Sequence, residues 1–453
     1  MRKSSAEGGF RQAGSILPAP AKQAKSEIRM SKSETSTKAQ NPKFESGLRP
    51  KVWDIRIRFI RICFGFRVSG FVLYVVLAAA VMLQGCRSPS VRRLDRIDAM
   101  VNEEIAAGHV PGAVVLVGRS DRILYHRAFG SAMIVGANDD SPVRKPMGID
   151  TVFDLASLTK PIATATSILI LADRGQLNID DRVGAYLPAF ACAGKADARI
   201  RHLLTHTSGL PAYTTAKPLA DEYGSPCPEQ VIEKICRLEA MNAPGEEFRY
   251  SCLGYIVLAR IVEIVSGRNV AEFSKENIFE PLGMHRTTFN PPTSWEDGIA
   301  ATQIVDGKPL RGTVHDPLAQ LMDGVSGNAG LFSTAFDLSI YCRMLLNGGA
   351  WHGTRILSPD ATRMLTTVQS HGRAYGFDVA SDYAWLKGPH ASEQAFCHTG
   401  YTGTSIVCDP AVDTYAILLT NRAHPHDKGT VRELRLKIAE AVFQPRGSVV
   451  AGR

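Results

Sequence analysis

Two pairs of short β-rich runs stand at opposite ends of the globular part of this chain, and no other feature constrains its fold as much. Ala113–Gly118 and Ile123–Ala128 are joined by Ser120-Asp121 near the start. Thr404–Cys408 and Thr414–Asn421 surround the turn Asp409-Pro410-Ala411-Val412-Asp413 near the finish. Each pair reads as neighbouring antiparallel strands. The stretch between them is helical in pattern: Ile162–Arg174 ended by Gly175, Gln230–Leu238, and Leu253–Ser266 ended by Gly267. A last helix is predicted at about Val431–Val442, with Leu434, Ile438 and Val442 on one stripe. The expected fold is α+β, one antiparallel sheet built from both chain ends with flanking helices, plus an inserted all-α region. From about Leu94 there is no linker, low-complexity tract or repeat, so residues 94–445 are expected to form one domain assembly, with 446–453 as a tail.

The 453-residue chain has a formal charge of +8, but the charge is uneven. Residues 1–100 hold 19 Lys and Arg against 7 Asp and Glu, so the remaining 353 residues balance at −4. A folded part that is mildly acidic has no electrostatic footprint for nucleic acid. Residues 1–55, rich in Ser, Lys, Ala, Gln and Pro, lack apolar periodicity and are expected to be a disordered basic segment. Arg56, Arg58, Arg61 and Arg67 then precede an uncharged run from Val68 to Cys86. That pairing is a basic region followed by an apolar export region, here 56–86, with 87–93 as a short linker. The run closes on Leu83-Gln84-Gly85-Cys86, which resembles a bacterial lipobox with Cys86 as the lipidated residue; a plain membrane anchor is the alternative, since 19 residues can span a bilayer. Either reading places the globular part outside the cytoplasm, in the cell envelope.

Seven of nine cysteines lie beyond the export segment: Cys192, Cys227, Cys236, Cys252, Cys342, Cys397 and Cys408. Seven is odd, no C-x-x-C pair occurs and no Cys/His cluster has zinc spacing, so neither metal nor redox motif is indicated. An exported compartment permits disulfides, but none is predicted.

The chemistry concentrates in Phe153-Asp154-Leu155-Ala156-Ser157-Leu158-Thr159-Lys160-Pro161. Residues at i and i+3 share a helix face, which places Ser157 beside Lys160. Pro161 is tolerated only in the first helical turn, so Ser157 is expected at a helix amino terminus. A serine hydroxyl becomes a nucleophile when a neighbouring base takes its proton, and a desolvated or cation-flanked lysine can be that base or tune it.

With Ile200-Arg201-His202-Leu203-Leu204-Thr205-His206-Thr207-Ser208-Gly209-Leu210, Pro244-Gly245-Glu246-Glu247-Phe248-Arg249-Tyr250-Ser251 and His398-Thr399-Gly400-Tyr401-Thr402-Gly403-Thr404, the motif makes four ordered matches. The chain thereby resembles the serine β-lactamase and penicillin-binding-protein family, which unites class C β-lactamases, D-alanyl-D-alanine carboxypeptidases and related esterases, from about Ile97 to Arg422. The resemblance implies a β-lactamase/transpeptidase-like fold with the site between its two parts. It implies Ser157 as nucleophile, Lys160 as its partner and Tyr250 as proton carrier. The backbone N–H groups of Ser157 and Tyr401 would form the oxyanion hole, and His398, Thr399 and Gly400 an edge strand in which Gly400 admits the substrate backbone and Thr399 binds its carboxylate. No metal or organic cofactor is implied.

Cys252 stands where the family has Asn or Asp after Tyr-x, which puts in doubt a contact to a substrate amide and points to altered specificity. Ser326-Gly327-Asn328 is a second candidate for an S-x-N element, although Gly324–Gly330 also reads as a Gly-rich loop. His206 reads as a residue pinning a loop rather than a general base, and Cys252 and Cys397 as small buried hydrophobes. The expected activity is acyl-enzyme hydrolysis of peptidoglycan D-alanyl peptides, β-lactams or esters; a slowly acylating or non-catalytic sensor is the alternative.

Overall fold

The computed structural model describes residues 94–136 and 142–444. The basic segment, the apolar run, Cys86 and the tail beyond 444 lie outside the described residues. Among the described residues no helix is long and apolar enough to cross a membrane.

Strand β1 (Gly112–Gly118) is apolar at almost every position because both of its faces are covered. Val114 and Leu116 enter one core, while Ala113, Val115 and Val117 enter another. The six-stranded antiparallel sheet runs β7-β8-β9-β1-β2-β3, with β2 (Ile123–Val135), β3 (Val143–Pro146), β7 (Phe396–Thr399), β8 (Ser405–Asp409) and β9 (Thr414–Thr420). The two chain ends meet where β1 pairs with β9, Val114 opposite Leu419 and Leu116 opposite Ile417. Helices α1 (Arg96–Ala106) and α6 (Arg432–Phe443) cover one face through Ile97, Val101, Leu434 and Ile438. The other face packs on the inserted helical region, which includes α2 (Thr166–Asp173), α3 (Pro228–Arg237), α4 (Cys252–Ser266) and α5 (Ala335–Leu346).

Helix α4 is the axis of that region. It is buried on nearly all sides from Leu253 to Val262, starts on the cap Ser251, whose Oγ accepts from Gly254 N, and ends at Gly267 in a left-handed conformation. The expected sheet from both ends and the helical insert are therefore present. Among the elements with no counterpart in the sequence reading are α1, α5, the edge strand β3, and a small sheet in the order β4-β6-β5, made of β4 (Phe153–Asp154), β5 (Thr288–Phe289) and β6 (Leu331–Ser333). Strands of two or three residues are too short to show a period of two. They matter here because β4 leads into Ser157.

Candidate active site

The turn carrying Ser157 is held from several directions. Asp154 ends β4, and its Oδ1 accepts from the Ala156 N–H at 2.8 Å while Oδ2 accepts from the His315 N–H at 2.7 Å. This stabilises Ala156 at φ 47°, a left-handed conformation that costs a residue with a Cβ about 1–2 kcal/mol. Thr402 Oγ1 donates to Asp154 O at 2.7 Å, and Thr404 Oγ1 donates to Leu155 O at 3.0 Å. Ser157 then lies in a single 3-10 turn, Ala156–Leu158. A wide π turn over Lys160–Ala165 separates it from α2, so the regular helix expected from Ile162 begins only at Thr166. Pro161 lacks an N–H, and its carbonyl is taken by side chains, Thr166 Oγ1 at 2.8 Å and Tyr341 Oη at 3.3 Å.

At Gly400 a Cβ would stand 2.1 Å from Thr404 Oγ1 and 2.4 Å from Leu155 O, so glycine lets the end of β7 press on the nucleophile turn. The contact sets Tyr401 and Ser157, the two expected oxyanion donors, in adjoining segments. Thr399 is half-exposed at the end of β7, and His398 is buried with its Nδ1 2.9 Å from Thr399 O.

Lys160 is fully buried, and its Nζ donates to Ser157 Oγ at 3.0 Å, to Asn328 O at 3.0 Å and to Cys252 Sγ at 3.4 Å. The second candidate element thus reaches the site through a backbone carbonyl. Ser326 Oγ is spent on Asn328 Oδ1 at 2.7 Å. Gly327 is needed because a Cβ would stand 1.9 Å from Tyr255 O on α4, and Thr164 Oγ1 holds the Gly327 carbonyl at 2.8 Å. Cys252 is not the buried hydrophobe expected of it: it is half-buried in the first turn of α4 with its sulfur on Lys160, whereas Cys397 is fully buried.

Tyr250 precedes the cap of α4, and its hydroxyl interacts with both Ser157 and Lys160. Lys160 Nζ also lies 5.1 Å from the Tyr250 ring centroid. Burial works to lower the Lys160 pKa, but Cys252 and Tyr250 outweigh it and the net shift is upward. Burial raises the Tyr250 pKa more than Lys160 lowers it. The resting site therefore pairs an ammonium with a phenol. Burial first, then the cations Arg373 and Lys160, depress His398 to about 3, against the attraction of Asp378, so β7 presents a neutral imidazole.

Sequence reasoning missed His315 and Asp316. The His315 ring stacks 5.5 Å from the Tyr401 ring, and Asp316 caps the helix Pro317–Leu321 while receiving Tyr213 Oη at 3.2 Å. The adjacent Asp316-Pro317 was a readable helix start. Among the described residues no group of His, Cys, Asp or Glu is arranged to hold a metal ion. A hollow of about 750 Å³ lined by Leu169, Asp173, Tyr186 and Met364 does not include Ser157.

The family model described as Beta-lactamase matches residues 97–440, a span containing every group above. The chain belongs to the β-lactamase family. An N-acetylmuramyl-L-alanine amidase of Bacillus subtilis (strain 168) is 33% identical over 367 residues, covering 74% of this chain and 82% of the relative. A protein of Escherichia coli (strain K12) carrying the provisional name D-alanyl-D-alanine carboxypeptidase is 32% identical over 365 residues, covering 74% and 83%. Among solved structures, EstCE1, a hydrolase with promiscuous acyltransferase activity, superposes with a TM-score of 0.62 at 24% identity, over 79% of this chain and all of that one. This β-lactamase-family protein is a serine hydrolase with the β-lactamase/transpeptidase-like fold.

Proposed function

We propose that the protein cleaves D-alanyl peptides of peptidoglycan through an acyl-enzyme on Ser157, acting outside the cytoplasm on an anchor at Cys86. The observation that carries the reading is the buried Lys160, whose ammonium touches Ser157 Oγ while its charge faces Tyr250. The reactive form is the one in which the Tyr250 phenol has lost its proton to solvent; from it Ser157 Oγ bonds to the substrate carbonyl carbon as its own proton moves to the Tyr250 phenolate oxygen. The carbonyl oxygen, now negative, is received by the Ser157 and Tyr401 N–H groups. As the tetrahedral intermediate collapses, the C–N bond breaks and the leaving amine takes the proton from Tyr250; water then repeats the sequence and releases the acid. Lys160 keeps a positive charge beside Tyr250, which favours the phenolate form that can accept a proton. Two named relatives, an amidase and a provisionally named carboxypeptidase, support a cell-wall substrate. His398, neutral and buried, leaves Thr399 to meet the substrate by hydrogen bonding rather than by charge.

The test is mass spectrometry of the full chain after exposure to a D-alanyl-D-alanine peptide, a fluorescent penicillin and a nitrophenyl ester, beside Ser157→Ala. An adduct or turnover lost in Ser157→Ala supports the acyl-enzyme, and an adduct that never clears identifies a sensor. Release of D-alanine supports the peptide substrate; ester turnover without it overturns that choice. The anchor is tested by Cys86→Ser, which is expected to leave the protein unlipidated and heavier, because the residues before position 86 are then retained; unchanged mass and membrane attachment would refute the lipobox.

A further inference from the structure

We propose that Tyr250 works as the middle ring of a three-ring stack, with His206 and Tyr383 as positioning residues that fix where its hydroxyl meets Ser157 and Lys160. The inference rests on the reading of Tyr250 as proton carrier.

The His206 ring lies 4.4 Å from the Tyr250 ring at 30°, and the Tyr383 ring lies 5.2 Å from it at 23°. Phe248 stands edge-on to both outer rings, 6.2 Å from His206 and 5.8 Å from Tyr383, and Tyr255 backs His206 at 5.0 Å. An aromatic side chain turns about two bonds, and a ring on each face removes most of that freedom. The hydroxyl keeps only motion in the plane of the ring.

His206 also holds the backbone on both sides of Tyr250. Its carbonyl accepts from Arg249 N at 2.8 Å, and its Nδ1 accepts from Ser251 N at 3.0 Å. Residues 249 and 251 are thus pinned by the residue whose ring carries residue 250. His206 itself sits at φ 58°, a strained position that its fully buried, doubly bonded setting maintains. Because Nδ1 accepts, the proton is on Nε2, which has no hydrogen-bond partner. Burial, then Arg373, Lys160 and His398, drive its pKa well below the usual value, so the ring stays neutral while the site works. A neutral imidazole with no link to Ser157 positions and does not transfer protons.

Tyr383 is the open side of the stack at 42% exposure. It lies in the two-turn 3-10 segment Asp382–Lys387, held by Ser381, whose Oγ accepts from Tyr383 N at 3.3 Å and donates to Asp378 Oδ1 at 2.5 Å. Lys387 Nζ ties the far end to Ala395 O at 3.0 Å. Three separate parts of the chain therefore converge on one ring. The charged and titratable groups facing Tyr250 are Lys160, Cys252, Arg373, His398 and Tyr255, besides the stacking His206 and Tyr383 themselves.

The experiment compares His206→Asn, Tyr383→Ala and Tyr383→Phe in the full chain. Asn can still accept from Ser251 N but offers no ring. The measured quantities are the kcat plateau at alkaline pH for a nitrophenyl ester, the KM, and an ultraviolet titration of the Tyr250 phenol taken as the difference from Tyr250→Phe. Misplacing a reacting group by 1 Å can cost about 100-fold, so His206→Asn is expected to lose roughly 10- to 100-fold in plateau kcat with KM changed by less than about three-fold. Tyr383→Ala should lose about three- to ten-fold, and Tyr383→Phe should recover most of it. In both losing variants water reaches the ring and the phenol titrates at lower pH than in the wild type. Wild-type plateau and titration in Tyr383→Ala, or in folded His206→Asn, would overturn the stack. The titration needs no turnover, so a wild type that fails to hydrolyse the ester would count against the proposed activity alone.

Discussion

Lys160 and Lys195 are both buried almost completely, at 0% and 1% exposure, yet their surroundings move their protons in opposite directions. Lys195 donates to the carbonyls of Cys192, at 3.0 Å, and Leu238, and burial carries its pKa down despite nearby Cys192, Cys236 and Glu239. Lys160 donates to one carbonyl and otherwise faces a hydroxyl, a thiol and a phenol, and its pKa rises. Burial alone therefore does not make a lysine chemically useful. What distinguishes Lys160 is that it donates to the Ser157 hydroxyl beside the Tyr250 phenol, whereas Lys195 donates to backbone carbonyls and closes a loop.

The largest difference between the two should appear on substitution. Lys160→Ala is expected to lower kcat/KM for a nitrophenyl ester by about 10²- to 10⁴-fold. Lys195→Met should leave it within about three-fold but lower unfolding free energy by about 1–3 kcal/mol, because two carbonyls lose a side-chain donor. Equal losses of turnover in urea-stable samples would end the distinction.

Gly400→Ala asks whether the nucleophile turn needs the clamp that Lys195's loop lacks. The added Cβ meets Leu155 O and Thr404 Oγ1, and kcat should fall about 100-fold with circular dichroism unchanged. A wild-type kcat would show that the turn holds its position without β7.

A smaller effect is expected at the cysteines. Cys252 raises both Lys160 and Tyr250, so Cys252→Ala should move the alkaline bend of the kcat profile to lower pH, with a several-fold change in rate at neutral pH. Cys192→Ala, beside Lys195, should leave the bend in place. A shared shift would mean that the bend reports global unfolding.

The smallest effect concerns acid stability, where buried histidines follow the rule of Lys195. Burial depresses His398 to about 3 and His424 to about 4, so both are neutral when folded and take up a proton on unfolding once pH falls below about 6.5. Their contribution is complete above that value and is lost as pH drops towards 4. His424→Gln should flatten the dependence of unfolding free energy by about 1.4 kcal/mol per pH unit in that window, read from urea titrations. An unchanged slope would show that His424 is protonated in the folded protein.

Much of this arrangement was legible in the residues. The apolar run Ala113–Val117 and its counterpart Tyr415–Leu419 announced strands, and Leu253–Ser266 announced the central helix with its glycine stop. Strands β4 and β6 were hidden because two or three residues carry no periodicity, and their pairing spans more than 170 positions. Asn328 O was unreadable in principle, since a carbonyl belongs to every residue and only folding selects one. His206 was legible as a pin, but that its ring lies under Tyr250 depends on residues 206 and 250 meeting.

By itself the sequence determined which reactive groups exist and the short-range distance between two of them, because two intervening residues cannot hold Ser157 and Lys160 far apart. Only the tertiary structure decided that Lys160 stays cationic although buried, that Tyr250 is a recessed phenol between two rings, and that Gly400 lets β7 press on the nucleophile turn. Proton affinities and side-chain freedom are set by desolvation and by neighbours brought from distant positions, and the chain's local spacing does not encode them.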